Sequence, residues 1–357
     1  MKQIYVQAQA DHIESLARSS PLAAVEELVW NALDADAKEV KVDLATNPLG
    51  AVEAVRVSDD GTGIDVLKAD ETFGNLGGSW KRGGKGTPLT GRRLHGRRGR
   101  GRFKAFALGT FAEWRTVMQL GDRRLAYTLR GDAEKPGVFE LDSSDEGPSV
   151  GTEVVITNVR AACDSLLDAA ETVQSLAAKF ALYLKSYPDV RIYFNGLPVT
   201  PVIVQKRTSD YRLSIGEGRE AKLEIIEWKR KFTGSGRLVF AGPDGFQLHE
   251  VSAGVRSGTG ASFTAYLVSP RFLALNAENA LVMDELNPEV RAYLDEARKT
   301  IKAHFAAMGG EKSEFETEWE EKIAALTSEE RRALLAILKK SLKREKTLAR
   351  GGGDLVK

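Results

Sequence analysis

Glu27, Asn31 and Asp34 fall within one stretch, AAVEELVWNALDADAKEV, residues 23–40. On an α-helix turning 100° per residue they occupy an arc of roughly 60°. Leu22, Val25, Leu28, Val29 and Ala32 take the opposite side. An acid, an amide and an acid in a row form a set of hard oxygen atoms. One carboxylate can take a proton from water, and the amide oxygen suits a Mg²⁺ ion. Asn is a poor helix former whose side chain prefers caps and turns, so its place in mid-helix asks for a reason. The plain alternative is a solvated face, and any one of the three residues alone would be read that way.

Three further stretches carry chemistry. VSDDGTGI, residues 57–64, puts Asp59 at a strand end ahead of Gly61 and Gly63. Two glycines there let backbone approach a flat ligand closely, and Asp59 could accept a hydrogen bond from an exocyclic amine. The alternative is an ordinary strand-ending turn. GRRLHGRRGRGRFKAFALG, residues 91–109, leads Gly96, Gly99 and Gly101 into a helix start, where free N–H groups favour phosphate. A Walker A loop at GGKGT, residues 83–87, fails because Lys85 is followed by Gly86 rather than Ser or Thr. Gly151 and Thr152 open the strand-like VGTEVVITN and say little alone.

The elements that must hold these residues are legible from pattern. Residues 20–36 read as a helix, with Ser20 as N-cap and Pro21 at its first position. EVKVDL and AVEAVRVSDDG read as strands around TNPLG, residues 74–101 as a long Gly- and Arg-rich loop, and FKAFALGTF as the opening of a second helix. AEWRTVMQL and RRLAYTLRG alternate as a hairpin around GD, and GVFELDS and GTEVVITNV add strands. A helix through roughly 162–186 follows. VRIYFNGLPVTPV is a hairpin with NG at its turn. AKLEIIEWKRKF, GRLVFAG, FQLHEV and SFTAYLVS are strands of a second unit, closed by a helix from Pro288 to about Ala306. The remainder is charged and helical in character, with Thr327 and Glu330 as a capping box.

The 357 residues, 42% hydrophobic, suffice for two domains and an extra helical segment. The 51 basic and 50 acidic residues nearly cancel, so only local clusters speak about partners. A single cysteine, Cys163, excludes an intramolecular disulfide, and the four scattered histidines make no metal run. No stretch of about 18 unbroken apolar residues exists, so no membrane partner and a cytoplasmic protein are expected.

In their order and spacing the four stretches resemble the motifs of the GHKL superfamily of ATPases, the gyrase, heat-shock chaperone, histidine kinase and MutL types. EELVWNALDA looks like the first box, DDGTG the second, GRRGRGR the third and GT the fourth. The wording of NALDADAKEVKV and GRRGRGRFKAFALG is closest in flavour to the MutL, MORC and bacterial defence-associated branch. The resemblance implies an α+β protein: a GHKL (Bergerat-type) ATPase sandwich of mixed sheet and helices over residues 1–205, a transducer-like α+β domain over 206–306, and a charged helical segment over 307–357. It implies ATP and Mg²⁺ as cofactors. Glu27 then matches the general base, Asn31 the Mg²⁺ ligand, and Asp34 a supporting residue one turn on. Asp59 matches the adenine-reading acid, with Gly61 and Gly63 making room for the base. Gly96, Gly99 and Gly101 match the ATP lid, the N–H groups of Arg100, Gly101 and Arg102 facing phosphate, and Thr152 matches the threonine near the adenine-binding water. Trp30, beside the stripe, is a departure; covering the pocket suits it better than stacking on the ligand. Lys104 either reaches a phosphate or is a solvated or packing lysine. Lys229, Arg230 and Lys231 are candidates for the sensor that the transducer sends to the γ-phosphate, with an exposed basic strand end as the alternative.

Lys81, Arg82, Lys85, Arg92, Arg93, Arg97, Arg98, Arg100, Arg102 and Lys104 follow one another with no acid between Glu71 and Glu113. That excess points either to a solvated loop or to contact with a nucleic-acid backbone. The resemblance implies an ATP-gated homodimeric clamp. Its output is a DNA transaction, with phage defence among the settings, a chaperone-like hold on protein clients, or a nucleotide-gated scaffold for a separate effector. A kinase fits poorly, since Glu27 suits activation of water and no phosphoacceptor histidine on a helix is evident.

Overall fold

The computed structural model describes residues 19–308, apart from 69–85, 96–100, 136–137, 145–148, 217, 232–235, 256, 258–259, 261 and 284–285. The described residues from 19 to 255 and from 260 to 301 belong to one compact unit. Residue 257 and residues 302–308 belong to a second unit. The capping box of the tail, Thr327 and Glu330, lies outside the described residues.

Helix α1 (Pro21–Asp34) begins as the sequence suggests: the Ser20 hydroxyl accepts the Ala23 N–H at 3.3 Å and Pro21 needs no partner for its nitrogen. Strands β1 (Glu39–Thr46) and β2 (Val52–Asp59) follow, and the Asn47 side chain holds the turn between them through the N–H groups of Leu49 and Ala51. Strands β3 (Gly109–Leu120), β4 (Arg123–Asp132), β5 (Phe139–Ser144), β6 (Gly151–Val159), β7 (Arg191–Phe194) and β8 (Leu197–Pro198) complete an eight-stranded sheet, ordered β5-β4-β3-β6-β2-β1-β7-β8. The β1–β7 pair is parallel and the other pairs are antiparallel. At the β7–β8 turn Asn195 and Gly196 both have positive φ, 46° and 74°, as a two-residue hairpin requires.

Two expectations change. The second helix expected at FKAFALGTF is a seven-residue 3-10 helix, Gly101–Ala107, and the chain enters β3 by Gly109. Phe103 and residues 105–108 are all buried, so this run has no polar face to sustain a longer surface helix. The helix expected over 162–186 is broken: a 3-10 turn, Ala161–Leu166, precedes α2 (Ala169–Ser186), which Asp168 caps through the Glu171 N–H.

A short helix α3 (Pro201–Val204) leads to the second sheet, β9 (Gln205–Gly216), β10 (Arg219–Trp228), β11 (Arg237–Ala241), β12 (Gln247–Ser252) and β13 (Ser262–Val268), ordered β12-β11-β13-β10-β9. Only β11 and β13 run parallel there. Strand β9 is absent from the sequence reading because it is a polar edge strand, whose exposed residues follow no hydrophobic alternation. Helices α4 (Arg271–Ala277) and α5 (Pro288–Met308) follow.

Helix α2 packs on both sheets. Leu176, Ala177 and Phe180 join Val25, Val29 and the strands of the first sheet in one core, while Ala178, Ala181 and Leu182 meet Ile226, Val239 and Tyr266 of the second. Such two-sided burial explains why α2 lacks a continuous polar face. Among the described residues no helix is long and apolar enough to cross a membrane.

Candidate active site

The polar stripe does not face open solvent as the helical wheel suggests. Glu27 keeps only 13% of its side chain exposed, and its Oε2 accepts from Lys104 Nζ at 3.0 Å. Asn31 is half-buried. Asp34 is buried, and its Oδ1 accepts the backbone N–H of His95 at 2.7 Å. The chain from residue 86 to 95 thus crosses the end of α1 and roofs it.

Several contacts fix that crossing. Just past α1, Asp36 has φ 63°, and its carboxylate collects the hydroxyls of Thr87 and Thr90 and the Leu89 N–H. Burial by itself would raise the Asp36 carboxyl, but those donors and nearby Arg92 outweigh it and hold it below its ordinary value. Arg92 is buried, with its guanidinium on the Ala37 carbonyl at 3.0 Å and the Tyr183 hydroxyl at 3.1 Å. Trp30 is covered: it stacks on His95 with centroids 4.5 Å apart and packs against Phe180, Tyr183 and Phe246. Trp30 is buried in this ring cluster at one end of the site helix.

The second stretch is bound to the same helix. The Thr62 N–H donates to the Ala35 carbonyl at 2.7 Å. A Cβ on Gly61 would come within 2.6 Å of that carbonyl oxygen, so this approach requires glycine. Gly63 has φ 72° and its backbone lies against Val117, where a Cβ would be 2.3 Å from the carbonyl oxygen. Asp59 accepts the Gly61 N–H at 2.8 Å and sits opposite Thr152 across the β2–β6 pair. Burial pushes the Asp59 carboxyl up to about 7, while the N–H groups of Gly61 and Thr152 work against that rise. The Thr152 hydroxyl lies 3.0 Å from that of Thr116, which also accepts the Ile64 N–H at 2.9 Å.

The described structure therefore brings Asp59, Gly61, Gly63 and Thr152 together at the C-terminal end of the helix that carries Glu27, Asn31 and Asp34. Gly96, Gly99 and Arg100 lie outside the described residues. Gly101 and Arg102 begin the 3-10 helix, and their side-chain surroundings are not described. Lys229, Arg230 and Lys231 are exposed just past β10. The Lys229 ammonium is engaged by the Ile203 carbonyl at 2.7 Å, and the Arg230 backbone is held on both sides by the Gln174 amide of α2.

One residue of the site, Thr116, was not singled out by the sequence. Thr116 shares the buried face of β3 with Ala112, Trp114 and Met118, and a hydroxyl on that alternation is the signal that marks it. Lys104 is neither solvated nor a packing residue in this structure but the ion partner of Glu27, a pairing across 77 positions that no local spacing reveals.

Residues 19–136 match the family model described as histidine kinase-, DNA gyrase B-, and HSP90-like ATPase. No curated protein matches the chain. Among solved structures, the Aquifex aeolicus MutL ATPase domain complexed with ADP is similar at 17% identity, over 73% of this chain and 96% of that one, with a TM-score of 0.41. The order of the motifs, the α+β sheet that presents them and the match over 19–136 agree: this part of the chain is similar to the ATP-binding domain of GHKL-type ATPases.

Proposed function

We propose that the chain binds ATP with Mg²⁺ along the edge of α1, hydrolyses it with Glu27 as general base, and uses the cycle to gate a homodimeric clamp. The observation that carries this reading is the binding of the Asp59–Gly63 loop onto the end of α1 through Thr62 and Ala35. It supports the reading because the elements that carry Asp59 and Glu27 are then joined directly to one another. Asp59 reads the adenine amine, Gly61 and Gly63 let the loop behind it close against Ala35 and Val117, and the Thr116–Thr152 hydroxyl pair suits an ordered water beside it. Asp34 positions the chain at His95, directly ahead of the glycine-rich residues 96–101 that the reading makes the lid.

Mg²⁺ fits the donor set. Among the described residues no cluster of three His, Cys, Asp or Glu could hold a metal, and Asn31 offers one hard oxygen on the Glu27 face. Mg²⁺ keeps waters and takes phosphate oxygens, so one protein ligand is in keeping with its chemistry. When bound it would neutralise charge on the β- and γ-phosphates.

For the output, DNA is the reading we favour, in the manner of a MutL- or MORC-type clamp and with phage defence as one setting. Of the ten basic side chains between Glu71 and Glu113, the three that are described are engaged within the protein: Arg92 by Asp36 and Tyr183, Arg93 by Asp244, and Lys104 by Glu27. The DNA reading therefore rests on Lys81, Arg82, Lys85, Arg97, Arg98, Arg100 and Arg102. Its test is the steady-state ATPase rate with and without double-stranded DNA, with Glu27→Ala as background. Stimulation that fades as salt rises supports it; an active enzyme indifferent to DNA transfers the reading to a protein client or a separate effector.

A further inference from the structure

Lys104 is the one cation within ion-pair distance of Glu27 among the described residues, at 3.0 Å. Its neighbours Phe103, Ala105 and Phe106 are buried, so the backbone at Lys104 is anchored and its side chain alone is free to change partner. About a third of that side chain is exposed, at 32%. An ammonium has three donors, and its one described hydrogen bond goes to Glu27. The neighbouring acid on the helix, Glu26, has a different cation: Lys179 Nζ lies 3.9 Å from it. Lys104 also acts at longer range on Glu26, but its ion pair is with Glu27, and its withdrawal would leave Glu27 without an ion-pair partner among the described residues.

We propose that Lys104 senses the γ-phosphate and positions Glu27: its ammonium pairs either with the Glu27 carboxylate, as in this structure, or with the terminal phosphate of ATP. The inference rests on the ATP-hydrolysing reading above. While Glu27 Oε2 accepts from Lys104, that oxygen is occupied, and departure of the ammonium frees it to accept from the attacking water. The γ-phosphate carries more negative charge than one carboxylate and competes for the same donor. Its arrival moves Lys104, and Glu27 then takes the proton of the attacking water. The water oxygen bonds to the γ-phosphorus as the bridging P–O bond breaks, leaving ADP and inorganic phosphate. ADP lacks the competing group and leaves the Lys104–Glu27 pair in place. This assigns to Lys104 the discrimination that the sequence reading sought at Lys229, Arg230 and Lys231.

A double-mutant cycle tests the exchange. Affinity for the β,γ-imido analogue of ATP and for ADP, each with Mg²⁺, is measured by calorimetry on wild type, Glu27→Gln, Lys104→Met and the double variant. Glu27→Gln removes the competing charge, so it should tighten analogue binding roughly two- to fivefold, the scale of a partly exposed ion pair. That gain should vanish in the Lys104→Met background and be absent for ADP. A gain that persists without Lys104, a gain of equal size for ADP, or no gain overturns the proposal while leaving ATP binding intact. Wild-type protein that binds neither nucleotide overturns both this proposal and the ATPase reading.

Discussion

Arg93 Nε lies 2.7 Å from Asp244 Oδ2, joining the segment that roofs α1 to the turn between β11 and β12 of the second sheet. The neighbouring Phe246 ring sits 5.5 Å from Trp30 and 5.6 Å from His95, centroid to centroid. A polar and an apolar contact therefore tie the second sheet to the residues just ahead of the glycine-rich stretch. Both partners of the ion pair are about a third exposed, which limits its worth to about 1 kcal/mol or less. Phe246 is buried, and truncating a core Phe costs about 3 kcal/mol or more. Urea unfolding should show Phe246→Ala far more destabilising than Asp244→Ala; equal effects would mean that charge rather than packing holds this junction.

Asp59 gives the site a pH dependence with a definite sign. Its folded value is raised from 3.8 to about 7, so between these the folded protein holds the proton that the unfolded chain has released. Its contribution to stability is complete below 3.8 and is lost as pH rises through about 7. Nucleotide affinity should move the other way, strengthening from pH 6 to pH 8 as the carboxylate ionises and becomes the better acceptor for an amine. Asp59→Asn should weaken binding and flatten both profiles. A wild-type affinity independent of pH, or unchanged affinity in the variant, would remove Asp59 from the adenine site.

Asp36 has the opposite sign. Its carboxyl is held below its ordinary value of 3.8, so the stability it confers is present above that pH and is lost as pH falls through the lower, folded value. Asp36→Ala would leave the buried Arg92 guanidinium without its carboxylate, a loss of about 3 kcal/mol or more. Thermal unfolding at neutral pH checks this, and a variant within about 0.5 kcal/mol of wild type would contradict the pinning role.

Gly63→Ala should damage the site without touching any acid. The position has φ 72°, and the new Cβ would fall 2.3 Å from the Val117 carbonyl oxygen. The loop must shift, so ATP affinity should fall by tenfold or more while the secondary-structure content of the protein is retained. Calorimetry alongside circular dichroism separates the two effects; full affinity would show that the loop does not line the nucleotide site.

Much of this was legible because it is local. Ser20 and Pro21 announce α1, Asn195 and Gly196 announce a hairpin, and DDGTG carries its own backbone requirement. The alternations of β3 and β4 are likewise readable because each of these strands has one buried face. The remainder depends on residues far apart in the chain. Asp34 reads as one more acid of a stripe, yet its partner is a backbone N–H at residue 95. FKAFALG reads as helix, yet it is short because the chain must enter β3 beside β6. Arg92, Arg93 and Lys104 read as surplus positive charge, but their acids lie on α1, just past it, and on the second sheet.

The most direct measurement is phosphate release from ATP by wild type and Glu27→Ala, with ATP binding followed on the same preparations. Wild type should turn over ATP, and Glu27→Ala should bind it while losing turnover by about a hundredfold or more, the scale of a general base. A Glu27→Ala enzyme that binds ATP and hydrolyses it at the wild-type rate would contradict the assignment of Glu27 as the base.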